Sequence, residues 1–119
     1  MTITKQEAFD RVLAHLREQG KPAFRPETGI CLYRTPEGLK CGIGGLIADE
    51  DYFDNLEGNA ASVKCVYSLF DGNPSDYIFY GELQNSLHDN ITQSYNFLEA
   101  LETKALAFAK KYGLEYKPC

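Results

Sequence analysis

The sequence predicts a small α+β fold: one mainly helical domain spanning residues 1–119, with one short β-hairpin. Three observations predict it. Two segments, near either end, carry apolar residues at helical spacing. One segment, residues 30–41, reads as strand, turn, strand. No alternation of strands and helices appears, which argues against a parallel-sheet nucleotide fold. A chain of 119 residues, 44% hydrophobic and 24% charged, is long enough for one modest core without covalent staples.

The elements follow in order. Thr4-Lys5-Gln6-Glu7 fits a capping box, in which the Thr hydroxyl and the Glu side chain each meet the other's backbone N–H. Phe9, Val12, Leu13 and Leu16 then recur at i, i+3, i+4, i+7, and Gly20 suits a left-handed stop with Pro22 beyond it. The prediction is a helix over 5–19. Residues 20–29 hold Gly20, Pro22, Pro26 and Gly29 and read as a connecting loop. Ile30–Arg34 reads as a strand, Thr35-Pro36-Glu37-Gly38 as a type I turn, and Leu39–Cys41 as the returning strand.

Gly42–Ala48 is a short helix or a tight loop. Its three glycines each cost a helix roughly 1 kcal/mol against Ala, so they point to close backbone packing or a positive φ. Residues 49–59 are acidic and irregular. Residues 60–70 read as a short helix ended by Asp71-Gly72-Asn73-Pro74. Tyr77–Tyr80 is a strand or a lead-in to a helix over 81–90, with Leu83 and Leu87 inward. In the last helix Leu98, Leu101, Ala105, Phe108 and Tyr112 form the buried seam, and Gly113 stops it.

Charge and cysteine usage narrow the function. Net charge is −5. Residues 1–48 carry seven Lys or Arg against five Asp or Glu, and residues 49–119 carry five against twelve. Nonspecific nucleic-acid binding needs a dense basic face, which is missing; a local basic pocket for one small anion, or an acidic face for a basic partner, remains. There is no apolar leader at the N-terminus and no run approaching the ~20 residues of a membrane helix, so a cytoplasmic protein with free thiols is expected. Cys31, Cys41 and Cys65 are separated by nine or more residues and form no C-x-x-C pair, and Cys119 is expected to fray.

Three chemistries compete at the segment CLYRTPEGLKCGIGGLI. The first is an anion cradle: Arg34 and Lys40 on the hairpin, the backbone of Gly42, Gly44 and Gly45, and Tyr33 to stack a base. The plainer alternative is a tight corner with a solvated Arg34. The second is a thiol enzyme, with Cys41 as nucleophile at a helix N-terminus and His88 as base. Adjacent helical residues point about 100° apart, so Asp89 is not expected to orient His88; Gln84 and Asn85, one turn back, are better placed. The third is a metal site from Cys31, Cys41 and His88, with Cys65 completing a Cys₃His set, although no short-loop ligand pair is present. The run Asp49-Glu50-Asp51, with Asp54 and Glu57, lacks the glycine and spacing of an EF-hand.

Taken together, Cys31-Leu32-Tyr33-Arg34, then Gly38-Leu39-Lys40-Cys41-Gly42-Ile43-Gly44-Gly45-Leu46-Ile47, resembles a family of small accessory proteins of tailed bacteriophages. Tyr52, Glu57-Gly58, Leu87-His88-Asp89, the opening AFDRVLAHLREQG and the ending KKYGLEY extend the resemblance over nearly the whole chain. The family has Ala, Cys and Pro where this chain has Gly42, Gly45 and Ala48, and its Gln stands three residues before its His, where this chain has Asn85. The resemblance implies a protein of the infected bacterium's cytoplasm acting against a host function, by binding a host protein or trapping a small immune signal. The expectation is therefore non-enzymatic binding of a nucleotide-derived anion at Tyr33, Arg34, Lys40, Gly42, Gly44, Gly45, Gln84 and His88, without a cofactor. The rivals are an inhibitor docking on a host protein through its acidic face, and a Cys41/His88 hydrolase. A pocket shared between copies in a homo-oligomer would suit a trap.

Overall fold

The computed structural model describes residues 2–25 and 30–118. Pro26 and Gly29 of the expected loop, and Cys119, lie outside the described residues. The α+β expectation does not hold. The chain is mainly helical; among the described residues it has four α-helices, α1 (Lys5–Gln19), α2 (Lys64–Tyr67), α3 (Tyr77–Leu87) and α4 (Phe97–Tyr112), joined largely by single 3-10 turns.

The expected hairpin fails for a local reason. Only one bridge, Arg34 with Lys40, forms between the two predicted strands. On one side Tyr33 N–H, which would extend the ladder, donates instead to Glu57 Oε1 at 2.8 Å. On the other, Leu39 N–H is taken by the Thr35 hydroxyl at 3.0 Å. Side chains have replaced ladder bonds at both ends, so pairing stops after one step. Upstream, Phe24–Arg25 (β1) pairs antiparallel with Ile30–Cys31 (β2), two residues a side, too little to form a layer.

The helix α1 has the expected bounds. Thr4 Oγ1 accepts from Glu7 N–H, Glu7 Oε1 accepts from Thr4 N–H, and Gly20 closes the helix at φ +76°. Its Phe9, Val12, Leu13 and Leu16 are buried. The expected helix over 60–70 shrinks to the four residues of α2 and a 3-10 turn at Ser68–Phe70. In α3 the stretch Tyr77–Tyr80 is helical lead-in, and the helix ends at Leu87, three residues before the expected bound. In α4, capped by Asn96, Phe97 is buried whereas Leu98 is 42% exposed, so the seam is set one residue earlier at its start.

The core lies where α1, α3 and α4 meet. Phe9 stacks on Phe108 at 5.9 Å between ring centroids, and Phe79 contacts Phe108 at 5.3 Å and Tyr80 at 5.8 Å. The segment 31–47 is laid against α1 and α3 by polar pins. Gln19, at the end of α1, accepts from Lys40 N–H and donates to Lys40 O, each at 2.8 Å. No helix among the described residues is long and apolar enough to cross a membrane.

Candidate functional site

Arg34 and Lys40 converge on one oxygen. Arg34 Nη1 stands 2.8 Å and Lys40 Nζ 3.1 Å from Oδ1 of Asp49, whose side chain is 76% exposed. The bridge between Arg34 and Lys40 places the two residues opposite each other, which puts a planar fork and a point cation on the same acceptor. Arg34 is anchored further: Nη2 donates to Ile47 O at 2.7 Å and the guanidinium lies 4.8 Å from the Tyr52 ring centroid. Its Nε is buried without a hydrogen-bond partner. Hydrogen bonding from Lys40, then the charges of Lys40 and Arg34, hold the Asp49 carboxyl below its usual range. A shallow groove beside this clasp is lined by Arg11, Lys40 and residues 45–49.

The backbone half of the expected cradle is closed. Residues 43–46 form a single 3-10 turn. Ile43 N–H donates to Gln84 Oε1 at 2.9 Å, Gly44 N–H to Cys41 Sγ at 3.1 Å, and Gly45 N–H to Cys41 O at 3.0 Å. The glycines serve close packing, the plainer of the two sequence readings. A Cβ at Gly44 would collide with the Tyr33 carbonyl, and one at Gly45 with the His15 ring.

The other predicted residues gather elsewhere. Tyr33, Cys31, Cys41 and Gln84 line a cleft of about 310 Å³ between the 31–33 segment, residues 57–62 and α3. Tyr33 is buried, and its hydroxyl donates to Asn59 O. Glu57 forms another wall, accepting from Tyr33 N–H, Arg34 N–H and the Tyr52 hydroxyl. Burial, then hydrogen bonding to Glu57, raises the Tyr52 phenol to about 12.

His88 and Asp89 behave differently from the sequence expectation. Because α3 ends at Leu87, His88 adopts φ −138°, ψ −70°, and the helical 100° offset no longer applies. Its Nδ1 then lies 2.8 Å from Asp89 Oδ1. Its Nε2 accepts from Ala23 N–H at 2.9 Å. An Nε2 that accepts carries no proton, so Nδ1 bears it and donates to Asp89, and the ring is neutral. Gln84, buried, completes the set, donating to Asp89 Oδ1 at 2.7 Å. Gln84 thus reaches the imidazole mainly through Asp89, its amide nitrogen also lying 3.4 Å from His88 Nδ1.

This wiring bears on both chemical alternatives. Cys41 is 1% exposed, and burial pushes its thiol far above the ordinary range, so it stays protonated. His88 has its accepting lone pair on Ala23 N–H, leaving none for a nucleophile's proton. Among the described residues, ligand atoms of Cys31, His88 and Asp89 fall within 4.8 Å of one another, whereas Cys41 is not in that group and Cys65 is exposed. A metal-bound histidine donates through its other ring nitrogen. Here the other nitrogen faces a backbone donor, so the His88 ring does not fit a metal at Nδ1. The thiol of Cys31, raised to about 11 by burial and then by the Asp89 charge, is also a poor anion to offer one.

Three working residues were not among the predicted site: Asp49, Glu57 and Asp89. Asp49 and Glu57 lie in a stretch that reads as an acidic loop, and only their closeness to Arg34 in space reveals them. Asp89 was legible as a neighbour of His88 but was set aside on helical geometry. Compared with family models, curated proteins and solved structures, the chain matches none.

Proposed function

We infer that the chain is a non-enzymatic binding protein which, like the phage accessory proteins it resembles, acts against a bacterial host function by holding an anionic, nucleotide-derived ligand on Arg34 and Lys40. One observation carries the reading: a guanidinium and an ammonium close on a single carboxylate oxygen, Oδ1 of Asp49. That oxygen stands where a phosphate oxygen would, and its exposure lets a ligand replace it. Exposed ion pairs are worth only about 0–1 kcal/mol, so displacing Asp49 costs little. Binding without chemistry is supported by the protonated Cys41 thiol and the occupied lone pair of His88.

The test is thermal shift and calorimetry with a panel of cyclic dinucleotides and inorganic pyrophosphate. Wild type is stabilised, Lys40→Ala loses the effect, and Lys40→Arg keeps part of it. Lys40 is the cleaner probe, because Arg34 also holds Ile47 O and packs on Tyr52. If no phosphate-bearing probe raises the melting temperature, the reading fails.

The host-protein reading is favoured by a different observation. The 3-10 turns at Asp49–Asp51 and Asp54–Leu56 present exposed acids around Phe53, itself 49% exposed. A basic partner docking there would associate with strong salt dependence and no small-ligand requirement.

A further inference from the structure

Two carboxylates, Asp89 and Glu57, share one cleft without a Lys or Arg side-chain partner among the described residues. Asp49, Asp76, Glu82 and Glu102 each have a Lys or Arg nitrogen within 3.7 Å. Asp89 does not. The donors that reach it are the Gln84 amide, the neutral His88 ring and the Cys31 thiol, none of them charged. Glu57, on the opposite wall of the same cleft, receives two backbone N–H groups and a phenol, again uncharged. Among the described residues, no Lys or Arg lines that cleft. Two negative charges therefore face one concave volume of about 310 Å³ without a counter-charge among the described residues, and a partly desolvated carboxylate left this way favours a cation.

We propose that this cleft, walled by residues 57–62 and α3, binds an alkylammonium group, with Asp89 as its direct acceptor and Glu57 supplying field. The site is separate from the clasp and takes the opposite sign of charge. The volume lies at the lower end of small-molecule pockets, which suits an aliphatic chain of a few carbons. The small side chains of Ala60, Ala61 and Ser62, with Gly58 and Gly81, leave room along it. A phosphate-bearing ligand is repelled by both carboxylates. A metal ion is disfavoured because His88 points an accepting nitrogen at Ala23 N–H and cannot turn its other nitrogen to a metal without losing that bond. An ammonium needs only an acceptor, and Asp89 offers one with its position fixed by Gln84 and His88. The source is a free diamine or a lysine side chain on a partner protein.

The experiment is an NMR titration of the full chain with cadaverine, and separately with 1,5-pentanediol, its neutral isostere. Cadaverine is expected to shift the amides of Ala61, Ser62 and Asn85, and pentanediol to leave them unmoved. Equal shifts with both, or none with either, overturn the proposal. Asp89→Asn weakens cadaverine binding about tenfold or more, the scale of one charge-assisted hydrogen bond. Because Asp89 also holds Gln84 and His88, Ser62→Lys serves as a second variant. Its own ammonium fills the cleft edge and abolishes the cadaverine shifts, while the response of the clasp to pyrophosphate is unchanged. Full cadaverine binding by a folded Ser62→Lys protein counts against the site. A lysine-containing peptide that binds at least tenfold tighter than cadaverine identifies a protein side chain as the source; the reverse order identifies a free diamine.

Discussion

The clasp at Arg34 and Lys40 and the cleft at Asp89 are both built on the segment 31–41, and they hold charge in opposite ways. In the clasp, formal charges meet each other at the surface: two cations share one exposed carboxylate oxygen. In the cleft, a carboxylate is held below the surface by neutral donors, two of which, Gln84 and His88, are themselves fixed by a second bond. Gln84 grips Ile43 N–H while it donates to Asp89, and His88 grips Ala23 N–H while it does the same. The difference teaches which features are replaceable. A surface ion pair exchanges readily with water, salt or a ligand. A buried amide in a network does not, because removing it strands its partners.

Gln84→Ala should give the largest effect and strike the cleft alone. It strands the buried Ile43 N–H and removes one of several donors from the half-buried Asp89, and a loss of roughly 2 kcal/mol in urea unfolding is expected, most of it from Ile43. A loss below about 1 kcal/mol would mean that water replaces the amide and that the cleft is no more rigid than the clasp.

Thiol labelling sharpens the comparison next. Cys65 is exposed, while Cys31 sits beside Asp89 with its thiol raised to about 11. At pH 8 the thiolate fraction of Cys31 is then about a hundredfold below that of an ordinary cysteine. Mass spectrometry of iodoacetamide-treated protein should show Cys65 alkylated first, Cys31 lagging by that order, and the buried Cys41 lagging further still. Early labelling of Cys31 would show that Asp89 does not hold its thiol.

Acid titration separates exposed from half-buried pairs. Asp49 is lowered by hydrogen bonding to Lys40, and Glu102 by hydrogen bonding to Arg17. In both, the folded value lies below the unfolded one. Their contribution is therefore present above the ordinary carboxylate pKa of about 4 and fades as pH falls through the depressed value. Carboxyl NMR titrations in low and in 1 M salt should move Asp49 back toward its ordinary value. Glu102, gripped by two Arg17 nitrogens at 2.7 and 2.6 Å, should move less. Equal salt shifts would erase the distinction.

The smallest change in stability is expected from Asp49→Asn. It removes a fully exposed partner, so the urea midpoint should stay unchanged within error. Pyrophosphate binding at the clasp should tighten several-fold, because the competing carboxylate charge is gone. Unchanged or weaker binding would mean that Asp49 supports the clasp rather than competing for it.

How far the sequence predicts each part follows from the range of the forces involved. The α1 bounds are set by Thr4, Glu7 and Gly20 within a few residues of each helix end, and they are readable on the page. The hairpin over 30–41 is not, because Glu57, more than twenty residues away, takes Tyr33 N–H from the ladder. His88 and Asp89 were misjudged because α3 stops at Leu87 with neither Gly nor Pro to mark it, and the turn beyond it swings the two side chains together. The convergence of Arg34 and Lys40 is legible in their places on either side of the Thr35–Gly38 turn, although the hairpin expected there shrinks to one bridge. That Asp49 would occupy the space between them was not, since an acidic run in sequence says nothing about which of its members folds back.

Glu57 has a consequence beyond the cleft. A strand edge with free N–H groups is a template on which another chain can add. The carboxylate of Glu57 takes two consecutive N–H groups: that of Arg34, on the outer side of the Arg34–Lys40 bridge, and that of Tyr33, which would otherwise face Cys41. One acidic side chain thus shuts an edge that would otherwise invite self-association, and Glu57→Ala would open it to aggregation before it touched any ligand.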